Sequence, residues 1–464
     1  MKKLHYVWMV WMVWMACVAL MAACTSEMDL GEEIQASEGV SSLNVLTDRR
    51  SYTEALEVAR GAVAMLDQEE ALPQRRVTKK RNRQVDLSDG VKCITGEKRV
   101  IQRGGEPVVV DDTLMYVFNY ENNQGYALVS TNLATEPLIA VTEQGHYDPM
   151  QETDNPGLKL YLEMAKQYVA KTKRMDSISV QQNLMERIPY KYRRRYDTLQ
   201  RTRVIPKIAV KWGQQNPEGW ACPNGLSGCI NTASAQIMSY FGYPTVMALT
   251  YSGAPTSVIT INWADIRTHI NHLDIFNYVD TCNPSIHYTI SYICRQLGEL
   301  SGSIYYTFPD SATGATMNGA RNSLLNLGYT LGNTTSYSSS VTLETELANN
   351  RLILMSGDDI ETSVGHAWAI DGCDYYKVRY REYVGIPDTT LLGTIDYTWI
   401  LLQDITTTYK YNHINWGWDG YDNGYYSNGV FSPISYAKLD DVNLSDTISA
   451  NFSNNIEFFT VYHE

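Results

Sequence analysis

The sequence predicts an α+β chain in two parts, a small N-terminal α+β unit and a larger C-terminal domain of helices and strands, on three observations. The chain has 464 residues, and at roughly 150 residues per domain that suits two or three domains with cores of their own. Helix-period and strand-like segments occur in both halves. Charge divides them: from residue 208 onward there are 10 Lys+Arg against 24 Asp+Glu, a balance of −14, while residues 1–207 carry 28 against 27. With 44% hydrophobic and 19% charged residues, neither a disordered polymer nor a multi-span membrane protein fits. The acidic half repels phosphate backbones, which argues against nucleic acid as a partner.

Residues 1–23 read as a signal peptide of the lipoprotein type. Lys2 and Lys3 give the positive start, and residues 7–23 are an uninterrupted apolar run too short to favour a permanent span. The run ends Leu20-Met21-Ala22-Ala23-Cys24, small residues before a cysteine as in a bacterial lipobox. Cys24 is thus the candidate for lipidation, with plain signal cleavage and secretion as the alternative. Either outcome exports the protein, to the outer membrane or cell surface or into the medium. The polar, acidic residues 24–50 suit a tether.

The N-terminal unit, residues 51–205, opens with a helix expected over 52–69, where Ala55, Leu56, Val58, Ala59, Ala62, Val63 and Leu66 form an apolar stripe. A hairpin follows: Met115-Tyr116-Val117-Phe118 and Tyr126-Ala127-Leu128-Val129 flank the turn-forming Asn122-Asn123-Gln124-Gly125. Leu158, Tyr161, Leu162, Ala165, Tyr168 and Val169 share a second helical face, opening after Asn155-Pro156-Gly157. The basic residues 187–207, with Arg193-Arg194-Arg195, read as a solvated, protease-sensitive linker to the acidic half, and the clusters Arg75-Arg76 and Lys79-Lys80-Arg81 as solvated loops.

Cysteine is sparse. After Cys17 and Cys24 only Cys93, Cys222, Cys229, Cys282, Cys294 and Cys373 remain, with no CxxC, so neither a disulfide framework nor a zinc pattern is present. Cys229 stands apart. It follows a Gly/Pro/Asn loop and precedes Ile230, Ala233, Ile237, Met238 and Phe241 at helical spacing, stopped by Gly242 and Pro244. A cysteine at a helix N-terminus meets unsatisfied N–H groups and the positive dipole end, which favour the thiolate.

A thiolate nucleophile needs a base. Of eight histidines, His366 sits in the apolar run Val364-Gly365-His366-Ala367-Trp368-Ala369-Ile370, ended by Asp371-Gly372, which reads as a central strand. In Asn412-His413-Ile414-Asn415-Trp416-Gly417-Trp418, Asn415 has an oxygen to orient an imidazole and Trp416 a ring to shield that bond.

These segments, in this order, resemble the streptopain family of papain-like cysteine peptidases, whose members are secreted as zymogens. The resemblance rests on Trp-x-Gln-x-x-Pro at 212–217, Gly228-Cys229 with Thr232-Ala233 and Ala235-Gln236-Ile237-Met238, Gly365-His366-Ala367 with Ile370-Asp371-Gly372, and Asn415-Trp416-Gly417-Trp418. It implies a papain-like peptidase domain over residues 206–464, a helical part plus an antiparallel sheet, with Cys229 the nucleophile, His366 the general base and acid, Asn415 the orienter, Trp416 the shield and Gln214 the oxyanion-hole donor. It also implies that residues 51–205 are an inhibitory prodomain, the chain's own intramolecular inhibitor, cut away near 193–207. Protein or peptide substrates are implied, and no metal or other cofactor. The 48 residues between His366 and Asn415 exceed the family's usual connection, so an insertion is expected around 375–411, strand-like at Tyr397-Thr398-Trp399-Ile400-Leu401-Leu402.

His269 and His272 have HxxH spacing without a third ligand, the loop from Asp419 to Gly424 lacks the distal Glu of an EF-hand and reads as a turn, and His413 competes weakly with His366 as the base. Two other functions stay open at this point: a non-catalytic surface-binding lipoprotein on a peptidase scaffold, and a thiol acyltransferase.

Overall fold

The computed structural model describes residues 49–67, 83–103, 106–172, 191–269, 284–307, 312–337, 343–358, 365–388, 396–431 and 456–463. The signal segment with Cys24, the clusters at 75–81, Cys282 and His272 lie outside them, as does the side chain of His269. The chain forms two compact units, one of residues 191–201 with 376–409, and one holding the rest of the described chain.

The larger unit begins with helix α1 (Tyr52–Asp67) and strands β1 (Lys92–Arg103), β2 (Glu106–Asn119), β3 (Tyr126–Ser130) and β4 (Leu138–Thr142), then helix α2 (Pro156–Lys171). Ala55, Ala59, Ala62 and Leu66 of α1 and Leu158, Tyr161, Leu162, Ala165 and Val169 of α2 are buried, as their spacing predicts. The expected hairpin is β2 against β3. Strand β5 (Lys191–Val204) follows.

The second half starts with α3 (Cys229–Phe241), the short pair β6 (Val246–Ala248) and β7 (Val258–Thr260), α4 (Trp263–His269) and α5 (Pro284–Ser301). Next come the hairpin β8 (Ile304–Tyr306) and β9 (Ala312–Gly314), α6 (Met317–Asn326), β10 (Thr330–Leu331), β11 (Thr335–Ser336) and α7 (Glu344–Ala348). The long strands β12 (Leu352–Asp358), β13 (Gly365–Asp388) and β14 (Asp396–Asn415) precede β15 (Gly424–Ser427) and β16 (Glu457–Tyr462).

One sheet runs in the order β1-β2-β3-β4-β15-β14-β13-β12-β16-β10. The N-terminal part therefore continues the sheet of the C-terminal part: β4 pairs antiparallel with β15, Thr142 opposite Gly424 and Ala140 opposite Tyr426. Gly424 is required there, because a Cβ at this position would lie 2.7 Å from the Cα of Thr142. Trp368 and Trp416, both fully buried, pack at 5.1 Å, and Tyr161 of α2 lies 4.8 Å from Tyr426. These rings join α2 to the core of the second half.

Two expectations are corrected. The basic stretch is no irregular linker: residues 191–204 are strand β5, paired with β13. In the smaller unit Arg194 pairs at 3.0 Å with the buried Glu382, and Tyr196 packs 5.0 Å from Tyr380. Buried partners thus absorb charge that by itself suggests solvent. Nor does the His366 strand stop at Asp371-Gly372; β13 continues to Asp388, because the Asp371 carboxylate finds partners inside the core. The insertion is the outer part of β13 and β14, and Val378, Glu382 and Val384 alternate as buried positions along it.

Candidate active site

Cys229 is the first residue of α3, after the N-cap Gly228, whose φ of 84° favours glycine. Ile230, Ala233, Ile237 and Met238 anchor the helix in the core. The loop before it is fastened at both ends: the Ser227 amide donates to the Gln214 carbonyl at 2.8 Å, and Thr313 of β9 donates to the Leu226 carbonyl at 2.9 Å. This brings the backbone of half-buried Gln214 to the mouth of α3. His366 enters at the start of β13, and the backbone N–H of the next residue, Ala367, faces the Cys229 sulfur. The two candidate reactive segments therefore meet.

The reactive groups are both neutral in this form. The half-buried Cys229 thiol is pushed above its ordinary pKa by desolvation, with the Asp358 charge adding to the shift, and the donors around it do not compensate. The expected thiolate at the helix mouth is thus absent here, because burial outweighs the helix end. His366 is also buried, and desolvation lowers it to about 4. Its Nε2 lies 2.9 Å from the Trp416 carbonyl. A carbonyl only accepts, so Nε2 carries the hydrogen and Nδ1 is left as the basic nitrogen.

Asn415 does not meet His366. Its Oδ1 accepts from Gln236 Nε2 at 3.0 Å and from the Gly417 amide at 3.2 Å, and its Nδ2 donates to the Val210 carbonyl at 3.1 Å. The ring of Trp416 lies 6.4 Å from the imidazole, and Trp368 flanks it at the same distance.

Against this pair sits the start of α2. Asn155 caps the helix, accepting from the amides of Gly157 and Leu158 at 3.1 and 3.2 Å, while its Nδ2 donates to Asp422 at 3.1 Å. Asp422 also accepts from the Tyr126 hydroxyl at 3.0 Å, so the Asp419–Gly424 segment, a turn as its sequence reads, is a docking point for the N-terminal part. Gly157 is pressed onto the site: a Cβ there would lie 2.6 Å from His366 Cδ2 and 2.7 Å from Trp416 Cζ3. Only glycine allows that approach.

A second contact lies nearby. Glu143, just past β4, reaches His413 Nε2 at 3.3 Å and Lys211 Nζ at 3.0 Å, while His413 Nδ1 lies 2.6 Å from Asp371. Although burial opposes it, the Asp371 and Glu143 carboxylates hold the His413 pKa up at about 9. His413 is therefore a cation at neutral pH and no base. Glu143, Asp371, Gln236 and the Asn155-Pro156-Gly157 wedge were not singled out for these roles by sequence; Gln236 was the nearest to legible, as a long amide set between Ala235 and Ile237 on the helix that Cys229 opens.

Residues 211–426 match the model of the Peptidase C10 family, and residues 51–169 match that of the Spi protease inhibitor. Eight chains of solved structures match. Among them, a prointerpain A fragment from Prevotella intermedia is 19% identical, with a TM-score of 0.45 over 79% of this chain and 98% of that one. The active interpain A cysteine protease of the same organism is also 19% identical, with a TM-score of 0.33 over 56% of this chain and 94% of that one. No curated protein matches. The chain is a cysteine peptidase made as a self-inhibited zymogen. Its residues 211–426 form a Peptidase C10, or streptopain-family, region, and the Spi-type inhibitor region, residues 51–169, lies on the same polypeptide.

Proposed function

We propose that the chain is an exported endopeptidase in which Cys229 attacks the peptide carbonyl, Gln214 and the Cys229 amide hold the oxyanion, and His366 Nδ1 takes the thiol proton, passes it to the leaving amine and then activates water. Trp416 shields the imidazole, and Asn415 braces the strand end that carries Trp416. The observation supporting this most directly is the meeting of Cys229 with the His366 strand under the Gly157 wedge. A binding module has no use for an imidazole sealed by its own N-terminal domain. Latency follows from the same contact: with His366 neutral and turned to the Trp416 carbonyl, no ion pair forms with the thiol, and departure of α2 lifts Gly157 off the His366 and Trp416 rings so that the imidazole can turn.

Residues 1–23 are proposed as the signal peptide, Cys24 as the lipidated residue and 51–205 as the removable prodomain, with the peptidase from 206. Cleavage within 193–207 then requires β5 to leave its pairing with β13. The test is to incubate the purified full chain and its Cys229→Ala variant with and without an active-site-directed epoxide, mapping the labelled residue and any new N-terminus by mass. The expected result is label on Cys229 and processing only of the unmodified wild type. Processing and casein cleavage by Cys229→Ala would overturn the assignment, and acyl transfer to an added amine in place of hydrolysis would favour a transferase.

A further inference from the structure

Gln236 lies on α3 seven residues, about two turns, beyond Cys229 and on the same side of the helix. It is fully buried, between Ala233, Ala235, Ile237 and Met238, where an apolar side chain would pack without burying an amide. Its Nε2 has two hydrogens and both are directed: one to the Trp212 carbonyl at 3.2 Å, one to Asn415 Oδ1 at 3.0 Å. Its Oε1 is buried with no partner among the described residues. A core amide that leaves its own oxygen unsatisfied is held there for what its nitrogen does.

Each acceptor leads into the site. Trp212 is two residues before Gln214, whose carbonyl is tied to Ser227 at the mouth of α3. Asn415 precedes Trp416, whose carbonyl holds His366. One amide group thus links the nucleophile's helix to the strand end that holds the imidazole and to the segment that presents the oxyanion donor.

We propose that Gln236 is a positioning residue for peptide hydrolysis, a brace that sets the Trp212–Gln214 segment and the Asn415–Trp416 strand end at working distance from Cys229. The proposal rests on the roles given above to Cys229, His366 and Gln214. Gln236 touches no substrate; it acts through Trp212 and Asn415. Methionine in its place conserves volume and removes both donors, and asparagine keeps the amide but is one methylene too short to span both acceptors.

The full-length Gln236→Met and Gln236→Asn variants are matured by added trypsin, titrated with an epoxide that alkylates the active thiol, and assayed per titrated site. Since small displacements in an active site cost rate steeply, kcat per titrated site is expected to fall about 10- to 100-fold in both variants, with KM within about twofold. The rate of iodoacetamide alkylation against pH is expected to lose its neutral-pH plateau as the ion pair loosens. In a Cys229→Ala background Gln236→Met should melt at or above the temperature of its parent, because the unsatisfied oxygen is gone. A wild-type kcat per titrated site in either variant overturns the proposal. If the wild type is not labelled at Cys229, the catalytic assignment itself has failed, and the two failures are distinguished by that control.

Discussion

Replacing Glu143 by Gln tests how the inhibitory domain is held. The carboxylate spans the two halves, with one oxygen 3.3 Å from His413 Nε2 and the other 3.0 Å from Lys211 Nζ. His413 is 3% exposed and Glu143 13%, so that contact is shielded from water, whereas Lys211 is 34% exposed and its pairing is discounted. Two charge-assisted bonds, one weakened by solvent, amount to about 2–3 kcal/mol, or roughly 30- to 150-fold in the docking equilibrium. His413 keeps Asp371 at 2.6 Å in the variant, so no buried charge is orphaned and the larger cost of a broken buried pair does not apply. The readout is amide hydrogen exchange across the β4–β15 ladder in a Cys229→Ala background, corrected for intrinsic rates; protection should fall by that factor. The pH dependence has a definite sign. Asp371 and Glu143 together hold His413 at about 9, and Asp371 stays when Glu143 is withdrawn, so the Glu143 contribution is present while His413 is a cation and is lost as pH rises through 9. The difference between parent and Glu143→Gln should therefore be full at neutral pH and shrink above 9. A difference that does not change between pH 6 and 10, or none at all, refutes the ion-pair account.

Two further perturbations address the wedge and the thiol. Gly157→Ala places a methyl 2.6 Å from His366 Cδ2; overpacking of this kind costs about 1–3 kcal/mol, so the variant should mature faster than wild type, and an unchanged time course would show that α2 does not seat there. Because burial holds the Cys229 pKa above its ordinary value in the zymogen, iodoacetamide should modify the precursor slowly at pH 7 and the matured enzyme at least about tenfold faster; equal rates would contradict a latent thiol.

The features legible in the sequence were those with local signatures. A helix mouth announced itself at Cys229 through the turn-rich loop before it and the Gly242 stop, and the α1 and α2 stripes through their spacing. His366 was legible as a polar ring in an apolar strand. What is not legible there depends on partners distant along the chain. Asp371 looked like a strand terminator because a carboxylate in an apolar run costs free energy unless paired, and its partner His413 lies 42 positions away. Glu143 meets His413 across 270 positions, and nothing beside it in the chain records that. Strand β5 was hidden by its arginines, whose acidic partners Glu382 and Asp197 include one far downstream. Asn415 showed the reverse: its residue type and place suggested the imidazole's partner, yet in the latent form its amide is engaged by Gln236, Gly417 and Val210.

The shared sheet has a consequence for the liberated enzyme. Once β4 departs, β15 becomes a rim strand, and the main-chain groups of Gly424, Tyr425 and Tyr426 that met Thr142, Val141 and Ala140 face water unpaired. Cutting the polypeptide alone leaves that ladder intact. A severed inhibitor can thus stay annealed to its former host, and activity has to await its dissociation or destruction rather than the first nick.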